Sequence, residues 1–182
     1  MTAVTIHQIQ LRYDPMADRL LLSVRTRTAE LYSAWLTRRM VARLGAPLRQ
    51  AVSRLVLPPS AASAVAVPEA QQMLEQVARE RPLPDADFKQ AFAGAAGANF
   101  PLGPEPLLPA EIDVRSPPGG GLVIALREAR GRRLDLTLGN DLATALLRLL
   151  DQSLAQAEWG LPGAGAGAAA EPEAAAPPQR LN

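Results

Sequence analysis

Residues 20–36 read LLLSVRTRTAELYSAWL, and residues 122–138 read LVIALREARGRRLDLTL. In the first stretch Leu20, Leu22 and Val24 alternate with Leu21, Ser23 and Arg25. After a short polar connection, Tyr32, Ala34 and Leu36 alternate with Leu31, Ser33 and Trp35. In the second stretch Leu122, Ile124 and Leu126 precede a turn near Gly131, and Leu134, Leu136 and Leu138 follow it. An apolar period of two residues is that of an extended strand with one buried face, so each stretch predicts an antiparallel pair. At a constant offset of 102, residues 20–57 align with 122–159 without a gap. The alignment matches Leu20 to Leu122, Arg25 to Arg127, Leu36 to Leu138, Leu44 to Leu146, Leu48 to Leu150 and Gln50 to Gln152. Six identities mean little in a Leu-rich chain; the shared order of patterns means more.

That order extends on both sides. Upstream of the first pair, Ile6 to Tyr13 alternates as a strand and Asp14-Pro15-Met16-Ala17-Asp18 makes a turn. Upstream of the second, Ile112 and Val114 precede the turn Ser116 to Gly121. Downstream of the first, Thr37 is placed as an N-cap, and Met40, Val41, Leu44, Leu48, Val52 and Leu55 recur at helical spacing. Pro47 should bend or restart that helix. Downstream of the second, Gly139-Asn140-Asp141 opens a helix lined by Leu142, Leu146, Leu147, Leu149, Leu150 and Leu154. The fold class expected is α+β: two tandem pseudo-repeated βββα units, each an antiparallel meander whose apolar face is covered by the helix that follows it.

Three further stretches complete the plan. Pro68 to Arg81 has the pattern of an amphipathic helix with a stripe of Met73, Leu74 and Val77 and with Pro82 as its stop. Asp85 to Phe92 suggests a further helical turn pairing Phe88 with Phe92, and FPLGPEPLL, residues 100–108, a Pro-broken edge strand. Leu161 to Asn182 offers almost nothing to bury and reads as a disordered tail. The expected layout is a single domain over 1–160, made of repeats 4–57 and 105–159 joined by a helical connector 58–104, followed by the Ala/Gly/Pro-rich tail 161–182.

Composition excludes more than it identifies. Ala and Leu fill 62 of the 182 positions, there is no Cys, and His7 is the one histidine. Disulfides and thiolate metal sites are thereby excluded, and no apolar run approaches the roughly 20 residues of a membrane-spanning helix. The N-terminal residues lack the pattern of a secretory signal, so a cytoplasmic protein is expected. The overall charge of +1 hides an asymmetry: residues 1–57 carry +6, 58–110 carry −3 and 111–182 carry −2. Eighteen of the nineteen basic residues are Arg, a preference that GC-rich codon usage explains without a ligand.

Catalytic arrangements find no support. His7 shares strand parity with Ile9 and Leu11, which predicts a partly packed strand residue, and Asp14 and Asp18 flank a turn where Asx side chains cap backbone amides. Gly119-Gly120-Gly121 precedes a strand rather than a helix and carries no phosphate-loop pattern. The expectation is a non-enzyme with no cofactor, no metal and no small-molecule substrate. The strand faces opposite the core differ between the units: the first carries Arg12, Leu21, Arg25, Leu31 and Trp35, the second mostly charged residues. Leucines and a tryptophan beside arginines are costly to leave in water, which nominates Arg12, Leu21, Arg25, Leu31, Trp35, Arg38 and Arg39 as an interaction surface. Packing of the connector helix on that face is the intramolecular alternative.

In outline, tandem antiparallel strands followed by a helix are distantly similar to PUR-repeat and whirly-type modules, which imply single-stranded nucleic-acid binding on an open sheet face. At the level of sequence, IHQIQLRYDPMADRLLL, YSAWLTRRMVARL, RPLPDADF, PLGPEPLL and GGGLVIALREARGRRLDLTL resemble a family of small uncharacterised proteobacterial proteins, which implies no activity. Two functional expectations follow. The first is a protein-interaction or assembly module, a homodimer or an accessory subunit. The second is a nucleic-acid binder in which Arg12, Arg25, Arg27, Arg38 and Arg39 meet phosphates and Trp35 stacks on a base.

Overall fold

The alternating segments form antiparallel strands. The computed structural model describes residues 6–56, 73, 76, 77, 80, 83, 91–118 and 120–161. Strands β1 (Ile6–Asp14), β2 (Arg19–Thr26) and β3 (Leu31–Thr37) form one antiparallel sheet in the order β1-β2-β3 and lead into helix α1 (Arg38–Val56). Strands β4 (Glu111–Arg115), β5 (Leu122–Arg127) and β6 (Arg133–Leu138) form a second sheet in the order β4-β5-β6 and lead into α2 (Asn140–Ala157). The architecture is α+β with two βββα units.

The repeat is closer in register than in residue identity. Leu20 pairs with Leu36 and Val24 with Tyr32, just as Leu122 pairs with Leu138 and Leu126 with Leu134. The connecting turns also coincide: Thr26 N–H donates to the Glu30 carbonyl at 2.9 Å, and Glu128 N–H to the Arg132 carbonyl at 2.9 Å. Ala29 and Gly131 take the same left-handed conformation, φ +59° and +92°. Glycine holds that conformation at little cost, whereas alanine is strained in it.

The two helices depart from the expected arrangement. Each lies chiefly against the outermost strand of the other unit's sheet, α1 on β4 and α2 on β1, and the two helices also touch each other. Ser153 Oγ on α2 donates to the Leu11 carbonyl of β1 at 3.3 Å. A meander of three strands leaves one side of its first strand unpaired, and a helix laid along that strand shields it from edge pairing. The buried residues of both units form one cluster, running from Leu11, Leu20 and Leu22 through Leu44 and Leu48 to Ile124, Leu126, Leu146 and Leu150. At its centre a cavity of about 10 Å³ is lined by leucines and isoleucines of both sheets and both helices.

Local signals fare unevenly. Thr37 caps α1, its hydroxyl accepting from Met40 N–H at 3.4 Å. Pro47 lies inside α1 and does not end it. The bond it removes would run to the Arg43 carbonyl, and Arg43 and Pro47 both lie on the solvent side of the helix, where a missing backbone bond costs least. His7 is exposed, because a register shift between Ile6 and Gln8 breaks the parity that grouped it with Ile9 and Leu11. Met73, Gln76, Val77 and Glu80 are helical, as the connector pattern predicts, but Met73 and Val77 are 70% and 61% exposed. Leu74, residues 84–90 with Phe88, and the tail from residue 162 lie outside the described residues; Phe92 is not helical. Rather than a strand, the edge-strand segment 100–108 makes one isolated parallel bridge with β3, Leu107 to Ala34, and a second bridge joins Asn99 to Glu30, just before each element. Pro101, Pro104 and Pro106 supply no amide hydrogens for a continuous ladder.

The chain closes on its own start. Glu158 takes a left-handed conformation (φ +52°) that ends α2, and Trp159 behind it is buried. Trp159 Nε1 donates to Asp18 Oδ1 at 2.7 Å and its ring meets Tyr13 edge-on, centroids 5.9 Å apart. Tyr13 hydroxyl donates to the same Asp18 oxygen at 3.0 Å, and Asp14 caps the turn through the amides of Met16 and Ala17. Trp159→Ala is expected to cost about 3–5 kcal/mol of unfolding free energy in a urea titration. Trp159→Phe should cost less, and a negligible effect of Trp159→Ala would contradict this closure.

Candidate interaction surface

The outward face of the first sheet is a set of rows, one residue per strand. Gln8, Arg25 and Leu31 make one row, Gln10, Ser23 and Ser33 the next, then Arg12, Leu21 and Trp35, and last Asp14, Arg19 and Thr37. The chain itself covers part of it. Arg25 Nη1 donates to the Gly94 carbonyl at 2.6 Å and Nη2 to the Ala96 carbonyl at 3.0 Å. Gln8 Nε2 donates to the Ala91 carbonyl at 3.3 Å, and its Oε1 accepts from Ala93 N–H at 3.1 Å. Residues 91–96 are thus fastened over the first row, and Leu31 beneath is buried.

The next stretch closes the β3 edge. Leu31 N–H donates to the Asn99 carbonyl, Trp35 N–H to the Leu107 carbonyl and Leu107 N–H to the Ser33 carbonyl, each at 2.8 Å. What holds this stretch is an ion pair of the second unit. Arg132 binds Glu128 through two bonds of 2.7 and 2.8 Å, and its Nη1 reaches the carbonyls of Leu102 and Glu105, both at 3.1 Å. Leu108 N–H donates to the same Glu128 at 3.2 Å. Bidentate charge-assisted bonds of this kind are stronger than neutral ones, and the Arg132 bonds hold the Glu128 carboxyl down at about 2.

The nominated residues therefore divide. Arg25 and Leu31 belong to the intramolecular cover. Leu21 and Trp35 are half-buried, and Arg12, Arg38 and Arg39 are exposed. Arg12, Leu21 and Trp35 stand side by side in one row, and Arg38 follows Thr37 in the adjoining one. The hydrogen bonds from Trp159 and Tyr13 hold the Asp18 carboxyl below its usual range, and the Arg38 charge adds a smaller effect in the same direction, favouring the ionised form. Among the described residues the cover is supplied by 91–107, while Met73 and Val77 of the connector helix are exposed. Gln8, Glu128 and Arg132, which position that cover, gave no sign of it in the sequence: Glu128 and Arg132 pair with each other four residues apart, but the backbone atoms that all three hold lie 20 or more residues away.

The second sheet presents a contrasting outer face. Arg115 pairs with Asp113 at 2.9 Å, Arg127 with Glu111 at 3.4 Å and Arg133 with Asp135 at 2.8 Å. Its charges neutralise one another in water. Among the described residues no group of three or more His, Asp or Glu side chains is placed to hold a metal ion, and no helix is long and apolar enough to cross a membrane. Comparison of the chain with family models, curated proteins and solved structures gave no match.

The lowered carboxyls fix the acid behaviour. Glu128 sits at about 2 against an ordinary 4.5, so its contribution to stability is fully present above 4.5 and is lost as pH falls towards 2. Asp18, also lowered, acts in the same direction. The fall in unfolding midpoint between pH 4.5 and 2 should be shallower in Glu128→Gln than in the parent. Parallel acid profiles for the two proteins would contradict the clamp.

Proposed function

We infer that this is a non-catalytic protein-interaction module that self-associates, or joins a larger assembly as an accessory subunit, through the uncovered end of the first sheet's outer face. The observation that carries this reading is the row Arg12, Leu21 and Trp35, left half-open while the chain roofs the neighbouring end of the same face. A tryptophan and a leucine ringed by arginines have the composition of an interface centre, where aromatic and Arg anchors supply most of the energy. A second copy is the favoured partner, in a cytoplasmic setting, with no cofactor and no small-molecule substrate in the account. The nucleic-acid reading loses its central phosphate ligand, since Arg25 is engaged by two backbone carbonyls; Arg12, Arg27, Arg38 and Arg39 remain.

Light scattering across a concentration series tests this directly. A dimer is expected, and Trp35→Ala should weaken it by about tenfold or more with far-ultraviolet circular dichroism unchanged. Arg12→Glu should weaken it less. A monodisperse monomer into the hundreds-of-micromolar range would overturn self-association. A low-salt shift of labelled single-stranded oligonucleotide, abolished by Trp35→Ala and by raised salt, would replace this reading with the second.

A further inference from the structure

The two units meet through residues that hold the same place in each. Arg49 of α1 and Asp151 of α2 are equivalent positions, 102 apart, and their side chains pair at 3.0 Å. Leu44 with Leu146, Leu48 with Leu150 and Leu22 with Ile124, again 102 apart, line the central cavity together. Equivalent residues can touch only where the axis relating their units passes, so Arg49 and Asp151 mark a pseudo-twofold axis running between the helices. The crossed packing of α1 on β4 and α2 on β1 obeys the same symmetry.

On such an axis a residue faces its own counterpart. Two identical units would place like charges there, Arg against Arg or Asp against Asp, whereas this chain places opposite charges. Like charges at this separation repel, which makes the position a selector of which unit pairs with which. Side-chain exposures of 20% for Arg49 and 30% for Asp151 leave the pair only partly screened by solvent. The surface that unit one offers to unit two is thus self-complementary in shape and keyed in charge.

We propose that this inter-unit surface fits a second copy of the chain, unit one of one molecule accepting unit two of another in a reciprocal exchanged dimer, with Arg49 and Asp151 as the pairing key. Residues 91–110 travel with unit two, because they bond to both sheets and run directly into β4. The crossing then falls in residues 57–90; with 73–80 kept as a helix, the other 26 residues can still extend over roughly 85 Å. This surface is separate from the outer face of the first sheet, so the proposal does not rest on the function inferred above.

Charge reversal on the full-length chain tests it. Arg49→Asp puts two aspartates on the axis and Asp151→Arg two arginines, so each variant is mismatched within its own chain. In an exchanged dimer of the two variants, both axes regain an Arg–Asp pair. Co-refolding the two, one of them isotope-labelled, is expected to give several-fold more mixed dimer by native mass spectrometry than labelled with unlabelled parent. The doubly reversed chain, Arg49→Asp with Asp151→Arg, should refold as a matched chain and yield no such excess. If neither single variant refolds alone, recovery of folded protein only in the mixture is the same positive result. A mixture with no more mixed dimer than the parent, or one that fails to refold where both singles fail, overturns the proposal. Adding Trp35→Ala to both variants should leave the excess in place.

Discussion

Among the described residues strand β1 has β2 on one side and no strand on the other, and β4 stands in the same position in the second sheet. An uncovered strand edge exposes backbone donors and acceptors, and the apolar face beside it needs a partner as well. Each unit supplies one helix after its last strand. In this fold the helix serves the other unit's first strand, which the Ser153 bond to the Leu11 carbonyl shows at atomic detail. Neither unit is therefore complete alone, and one apolar cluster, threaded through both sheets and both helices, replaces the two small cores that separate units would have. The second unit also secures the first at two further points, through the Glu128 and Arg132 clamp and through Trp159 on Tyr13 and Asp18.

Strands, turns and helices were legible because each rests on short-range periodicity. Leu20, Leu22 and Val24 could face only one way, and a register set by five-residue turns at Thr26 to Glu30 and Glu128 to Arg132 follows from local bonds. The crossing of the helices was not legible. The apolar stripe of α1 has the same spacing whichever sheet it meets, so residue pattern alone assigns it to the nearer one. Equally hidden was the fate of Arg25: an arginine on a strand face looks free until carbonyls 69 and 71 residues away are brought to it. His7 shows the reverse failure, a correct strand in which one bulge turned one side chain outward.

The candidate surface was legible in part. Strand parity put Arg12, Leu21, Arg25, Leu31 and Trp35 on one face, and the register agrees. Parity could not say how much of that face the chain keeps for itself. The cover over Gln8, Arg25 and Leu31 narrows the open region to the end nearest the start of α1, and the self-neutralised ion pairs of the second sheet give that face no comparable apolar centre. The functional proposal draws its force from that asymmetry.

Mutual completion of the two units is the central claim, and native-state hydrogen exchange tests it most directly. If the units share one core, the slowest amides of β2, around Val24, and of β5, around Leu126, open only in global unfolding and report the same free energy, with the same response to added denaturant. Two distinct opening energies, with β5 and α2 exchanging as one group while β2 and α1 remain protected as another, would contradict it.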